Sequence, residues 1–167
     1  MMILISGTSG SGKSRIAENR LENFNGKKFY VATAKILDSE MLKRVKKHKA
    51  MRAGKNFITI EREKNLGELK FPLDSNVLIE SLTTWLANEM FDGGSAENIF
   101  DDIKKLKVSC ENLIIVSDDI FSDGIIYDEA TEFYVKTLAS LMIKIAREAD
   151  EVMEAVSGIA VKIKGAC

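Results

Sequence analysis

Gly7-Thr8-Ser9-Gly10-Ser11-Gly12-Lys13-Ser14 has the spacing G-x-x-x-x-G-K-S, that of a loop that cradles the phosphates of a nucleoside triphosphate. Each residue type has a task in that chemistry. The glycines let successive backbone N–H groups curl around an anion, and the following helix turns its positive end toward it. Lys13 reaches the β- and γ-phosphates, and the Ser14 hydroxyl is a ligand for Mg²⁺. Such a loop needs a strand before it and a helix after it. Met2-Ile3-Leu4-Ile5 is a short apolar run, and residues 15–23 contain neither Pro nor Gly. Both requirements are met.

A second concentration of chemistry lies at Lys43-Arg44-Val45-Lys46-Lys47-His48-Lys49-Ala50-Met51-Arg52, the densest positive stretch in the chain. On a helix, Met41, Val45, His48 and Arg52 form one stripe. His48 is the only histidine. The surrounding cations disfavour its imidazolium, leaving a neutral nucleophile near pH 7. The same cations can hold a departing pyrophosphate. The residues alone also allow a half-buried structural histidine on a solvated basic helix. A nucleic-acid patch is the third reading, but no aromatic residues interleave with the charges.

The elements that must position these groups follow from the pattern of apolar runs. After the first strand come Phe29-Tyr30-Val31-Ala32, Phe57-Ile58-Thr59-Ile60, Asn76-Val77-Leu78-Ile79, Leu113-Ile114-Ile115-Val116 and the run 151–156. Helices are expected over about 13–23, 38–52, 83–91, 96–109 and 128–149. Alternation of short strands and helices predicts an α/β fold, a P-loop NTPase-like (RecA-like) mostly parallel sheet flanked by helices. Ile159 to Ile163 alternates after Ser157-Gly158, so the chain should close with an antiparallel edge hairpin protected by Lys162 and Lys164. Ligands of parallel sheets gather at the carboxyl ends of the strands. There Glu61, Glu80, Asp118 and Asp119 stand, and Glu80, Asp118 and Asp119 are each candidates to join Ser14 at Mg²⁺.

The bulk numbers narrow the classes. With 167 residues and 46% apolar content, residues 1–167 make one globular domain with a real core. A net charge of −1 gives no global bias toward nucleic acid or acidic membranes. Two cysteines, Cys110 and Cys167, suggest no disulfide framework. The opening apolar run is too short for a secretory core, and no stretch reaches membrane-spanning length. The expected compartment is the cytoplasm. A small regulatory GTPase would need D-x-x-G and N-K-x-D, and neither occurs; the arginine-rich lid of a nucleoside-monophosphate kinase is also missing between Asp92 and Asn112.

Taken together, the motifs resemble one family nearly end to end. The carriers are the loop with Lys13-Ser14-Arg15; Tyr30-Val31-Ala32-Thr33-Ala34; Ile36-Leu37-Asp38-Ser39-Glu40-Met41 with Arg44 and His48-Lys49; Leu78-Ile79-Glu80-Ser81-Leu82-Thr83-Thr84-Trp85; and Ala149-Asp150-Glu151-Val152 leading to Val156-Ser157-Gly158-Ile159. They are similar to the bifunctional adenosylcobinamide kinase/adenosylcobinamide-phosphate guanylyltransferases of cobalamin biosynthesis. The resemblance implies two reactions. One phosphorylates the aminopropanol hydroxyl of adenosylcobinamide from ATP or GTP. In the other, His48 attacks the α-phosphorus of GTP, holds GMP covalently and passes it to adenosylcobinamide phosphate. It further implies that Thr33, Ala34 and Lys35, then Lys49, Ala50, Met51 and Arg52, with Glu61 and Glu80, line the guanine nucleotide site. A homotrimer is implied as well.

The chain also departs from the family pattern. Where N-E-V-G-x-G-I-V-P is usual, residues 118–127 read Asp118-Asp119-Ile120-Phe121-Ser122-Asp123-Gly124-Ile125-Ile126-Tyr127. An Arg/Asp pair on the next helix is replaced by Glu132 and Lys136, a charge-inverted i,i+4 pair. A usual Gly and Asn are Ala139 and Met142, and Ala53 and Phe57 replace a Pro and a Trp. The altered loop leaves two other readings. A P-loop small-molecule kinase would never use His48, and a non-catalytic GTP- or corrinoid-binding regulatory module would bind without turnover.

Overall fold

The computed structural model describes residues 1–35, 54–121, 124 and 126–165. The expected helix over 38–52, with His48 and Lys49 to Arg52, lies outside the described residues. Seven strands run in chain order: β1 (Met2–Gly7), β2 (Lys28–Ala32), β3 (Phe57–Glu61), β4 (Asn76–Glu80), β5 (Asn112–Asp118), β6 (Glu151–Val156) and β7 (Ile159–Lys164). They form one sheet in the order β3-β2-β4-β5-β1-β6-β7, parallel throughout except for the β6–β7 hairpin. The expected α/β architecture and closing hairpin are both present.

Continuous apolar runs make these strands because both sheet faces are covered. Side chains alternate across the sheet, so β1, β2, β4, β5 and β6 each feed two cores, while β7 is exposed along its length. Ile3, Ile5, Tyr30, Leu78, Ile114 and Val116 face Ala17 and Leu21 of the helix α1 (Lys13–Glu22). Met2, Leu4, Val31, Val77, Ile79, Leu113 and Ile115 face the opposite way. That second face is covered by α2 (Leu82–Phe91), α3 (Ile99–Ser109) and α4 (Glu129–Glu148). Trp85 of α2 is fully buried there, and its indole N–H donates to Glu89 Oε1 at 3.0 Å.

Three details differ from expectation. β1 and β5 run on through polar residues, because Ser6 pairs with Ser117 and Gly7 with Asp118. The expected helix over 96–109 opens as a 3-10 turn at Ala96–Asn98 and is α-helical only from Ile99. Lys164 does more than guard an edge: its Nζ donates to Ala146 O at 3.0 Å and Arg147 O at 2.8 Å, closing the carbonyl end of α4.

Candidate active site

The loop from Gly7 to Ser14 leaves β1 and enters α1 through Gly12, whose φ of 90° is left-handed. Gly12 contributes no side-chain cap, so the first N–H groups of α1 remain open to an anion. The loop leans on the β6–β7 turn. Gly158 N donates to Ser11 O at 2.8 Å, and a Cβ on Gly12 would come within 3.1 Å of Gly158 Cα. A Cβ on Gly7 would meet Ala155 O at 2.8 Å. Sequence reading found the hairpin turn but not this contact. The turn itself is legible from Gly158, which takes its φ of 83° without a Cβ, while Ser157 before it is also left-handed at φ 50°.

Three acidic candidates separate cleanly. Ser14 Oγ donates to Glu80 Oε1 at 2.7 Å, across the intervening β5. Lys13 Nζ sits 2.6 Å from Asp118 Oδ1 and donates to Thr8 O at 3.1 Å. Asp119 turns elsewhere: its N–H donates to Gly7 O at 2.9 Å, and its Oδ1 accepts from Phe121 N at 3.2 Å. Among the three, Glu80 therefore shares Ser14 and Asp118 shares Lys13.

Glu80 has one oxygen without a partner. Its Oε2 is sealed from solvent and has no hydrogen-bond partner. Burial pushes its pKa up to about 7 against the opposing pull of Ser14 and Lys13, with Asp118 and Glu18 adding repulsion. Ser11 Oγ, also buried in the loop, is likewise unpartnered. A hydroxyl, a carboxylate oxygen and an orphaned second oxygen make a hard-oxygen donor set, which fits Mg²⁺ completed by phosphate and water. The residues present therefore suit the implied ion.

The remaining expected residues fall around this centre. Thr33 is fully buried, and its Oγ1 lies 3.0 Å from Glu80 O and 2.9 Å from Ser81 O while accepting from Ser81 N at 2.8 Å. Its hydroxyl is thus spent on holding the end of β4, beside a cis Glu80–Ser81 peptide. Ala34 and Lys35 are half-buried, and Lys35 pairs with Asp92 at 3.0 Å, a contact that raises the lysine pKa. Glu61 ends β3, exposed, in register with Ala32 and through it with Glu80. The Cα atoms of Glu61 and Glu80 lie about 10 Å apart, two strand spacings, on one sheet face.

Sequence reading missed Glu18 and Lys55. Glu18 is buried on α1 one turn beyond Ser14, and Lys55 reaches its Oε2 at 3.3 Å and Glu22 Oε2 at 3.4 Å. A charged residue at an inward helix position was the available signal. The charge-inverted pair does form: Lys136 Nζ is 2.6 Å from Glu132 Oε1, on open surface. Met142 fills its site as a packing exchange, with its sulfur 3.3 Å from Ser117 Oγ.

An open loop at the head of α1, with Lys13 beside Asp118 and Ser14 joined to Glu80, has the features of a phosphate site but names no substrate. The family model for cobinamide kinase / cobinamide phosphate guanyltransferase matches residues 3–163. The chain belongs to this family. It is 32% identical to the "Bifunctional adenosylcobalamin biosynthesis protein CobU" of Escherichia coli (strain K12) over 185 residues, covering 98% of this chain and 100% of the relative. The protein of the same name in Salmonella typhimurium is also 32% identical, over 98% of this chain and all of the relative. Among solved structures, the flagellar accessory protein FlaH from Methanocaldococcus jannaschii superposes with a TM-score of 0.56 at 14% identity. That match covers 98% of this chain and 78% of FlaH, and it speaks for the fold alone.

Proposed function

We propose that this chain performs both reactions of its family. It phosphorylates the aminopropanol hydroxyl of adenosylcobinamide from ATP or GTP. It then transfers GMP from GTP to adenosylcobinamide phosphate through a guanylylated His48, giving adenosyl-GDP-cobinamide. The observation that carries the reading is the union of Ser14 with Glu80 beneath an open phosphate loop, in a chain matching the family from residue 3 to 163.

In the kinase step, the N–H groups of the loop and Lys13 hold the β- and γ-phosphates. The acceptor oxygen attacks the γ-phosphorus, the bond from that phosphorus to the β-bridging oxygen breaks, and the hydroxyl proton leaves to solvent. Positioning and charge stabilisation carry most of such a transfer. Ser14 and Glu80 would hold Mg²⁺, which when bound neutralises charge on the β- and γ-oxygens. In the transferase step a neutral His48 nitrogen attacks the α-phosphorus and pyrophosphate departs. A phosphate oxygen of the corrinoid then displaces the histidine. Dividing the transfer keeps two polyanions from having to meet in one step. Thr33, Ala34, Lys35, Lys49, Ala50, Met51, Arg52 and Glu61 are the proposed surroundings of the guanine nucleotide, with Thr33 acting by fixing Glu80. A cytoplasmic homotrimer is the proposed working form.

Separate assays of the half-reactions test this reading. Adenosylcobinamide with γ-labelled ATP should yield labelled corrinoid, and adenosylcobinamide phosphate with GTP should release pyrophosphate. If neither corrinoid is converted while triphosphate still binds, the assignment is wrong.

A further inference from the structure

We propose that Phe91 and Tyr134, with the adjoining Phe133, form the seat on which the corrin macrocycle lies while its aminopropanol arm reaches the phosphate loop. The inference rests on the function proposed above.

Exposed apolar side chains are common singly, and informative where they meet beside a site. Phe91, at the end of α2, is 58% exposed, and its ring lies 6.0 Å from that of Tyr134 on α4 at a tilt of 45°. Phe133 adjoins Tyr134 and is 63% exposed. Of the other exposed apolar residues, Val156 and Ile159 flank the Gly158 turn against the loop, on the far side of β1 from α2, and lack a ring partner among the described residues. Met1, Leu73 and Val108 precede β1, β4 and β5, at the opposite edge of the sheet.

Unlike a helix that runs straight back from its strand, α2 keeps its last turn at the carboxyl edge. Asn88 Nδ2 donates to Thr33 O at 2.8 Å and to Glu63 O at 3.1 Å. Lys64 Nζ donates to Asp92 O at 2.6 Å. The aromatic pair is also tied to the phosphate site by short links. Tyr134 OH donates to Thr83 O at 3.0 Å, Thr83 Oγ1 accepts from Asp118 N at 2.8 Å, and Asp118 reaches Lys13 at 2.6 Å.

A ligand resting on these rings is therefore held at a fixed distance from the γ-phosphate. The corrin substrate needs such a platform. Its macrocycle presents broad apolar faces edged by amides, and only its side arm reacts. Remote binding of the inert part is what can orient the reacting hydroxyl. Lys64 and Asp92 supply a polar rim beside Phe91 for the amide edge.

The test compares Phe91→Ser, Phe133→Ser and Phe91→Tyr with wild type. The KM for adenosylcobinamide, kcat and the Kd for ATP are measured, together with the subunit number in solution. The two serine variants should each raise the corrinoid KM roughly tenfold, the scale of losing one buried aromatic contact. ATP affinity and subunit number should hold, and Phe91→Tyr should restore the KM. An unchanged corrinoid KM in active variants overturns the seat while leaving the proposed function intact. A changed subunit number with unchanged KM also overturns it, making the patch a contact between copies. Wild type inactive on every corrinoid overturns the proposed function and the seat together.

Discussion

Lys13 Nζ lies 2.6 Å from Asp118 Oδ1, so the lysine of the G-K-S loop is already paired with an acid in the free chain. The register of β1 against β5 makes this contact, since Gly7 is opposite Asp118. An incoming triphosphate must compete for the lysine. The Lys13 side chain is only 6% exposed and Asp118 23%, so solvent screens the pair little. Asp118→Asn should tighten ATP and GTP binding roughly tenfold while lowering the melting temperature of the free protein. Isothermal titration and thermal melts check both signs. Weaker nucleotide binding in the variant would contradict this account.

Glu80 gives a pH dependence of definite sign. Burial raises its folded pKa to about 7 from an ordinary 4.5. The folded chain then binds this proton more tightly than the unfolded one. Its contribution to stability is present below pH 4.5 and is lost as pH rises through 7. Glu80→Gln should therefore stabilise the nucleotide-free protein at pH 8, by up to roughly 3 kcal/mol, with the gain vanishing below about pH 4.5. The same variant should lose the Mg²⁺ dependence of ATP binding. Denaturant melts across pH, with and without Mg²⁺, provide the readout.

Thr33 should act through stability and site geometry rather than by touching the base. Replacing it with Val strips a partner from Ser81 N and from two carbonyls, at a cost of about 1–3 kcal/mol. Thr33→Ser keeps the oxygen and should fall within about 1 kcal/mol of wild type. Equal losses for Val and Ser in chemical denaturation would show that the hydroxyl is not what matters.

Gly12 and Gly158 are coupled through a contact between the loop and the hairpin. Gly12→Ala places a Cβ 3.1 Å from Gly158 Cα at a φ of 90°. A left-handed alanine costs about 1–2 kcal/mol before any clash. Both stability and ATP affinity should fall, whereas Gly10→Ala meets open space and should cost only the backbone strain of its φ of 77°. Parallel melts and nucleotide titrations of the two variants separate the effects.

These relationships mark how far the sequence is legible. The phosphate loop, its strand and its helix are local, and the residues themselves announce them. The apolar runs locate the strands, since a sheet covered on both faces needs unbroken hydrophobic segments. Their ends are less visible, because Ser6, Gly7, Ser117 and Asp118 are polar yet extend β1 and β5 by pairing with each other. The choice among Glu80, Asp118 and Asp119 depends on strand order and register, which no local pattern encodes. The packing of Gly158 on Ser11 is hidden for the same reason, since it joins the two ends of the chain. Glu18 betrayed itself only as a charge on an inward helix face.

The central claim is that one phosphate loop serves two chemistries, with His48 carrying GMP between them. Incubating the protein with α-labelled GTP and Mg²⁺, then mapping any adduct by mass spectrometry, tests it most directly. The account predicts an acid-labile, base-stable GMP on His48 that cobinamide phosphate discharges, and no label on His48→Ala. An unlabelled wild type, or equal labelling of His48→Ala, would contradict it.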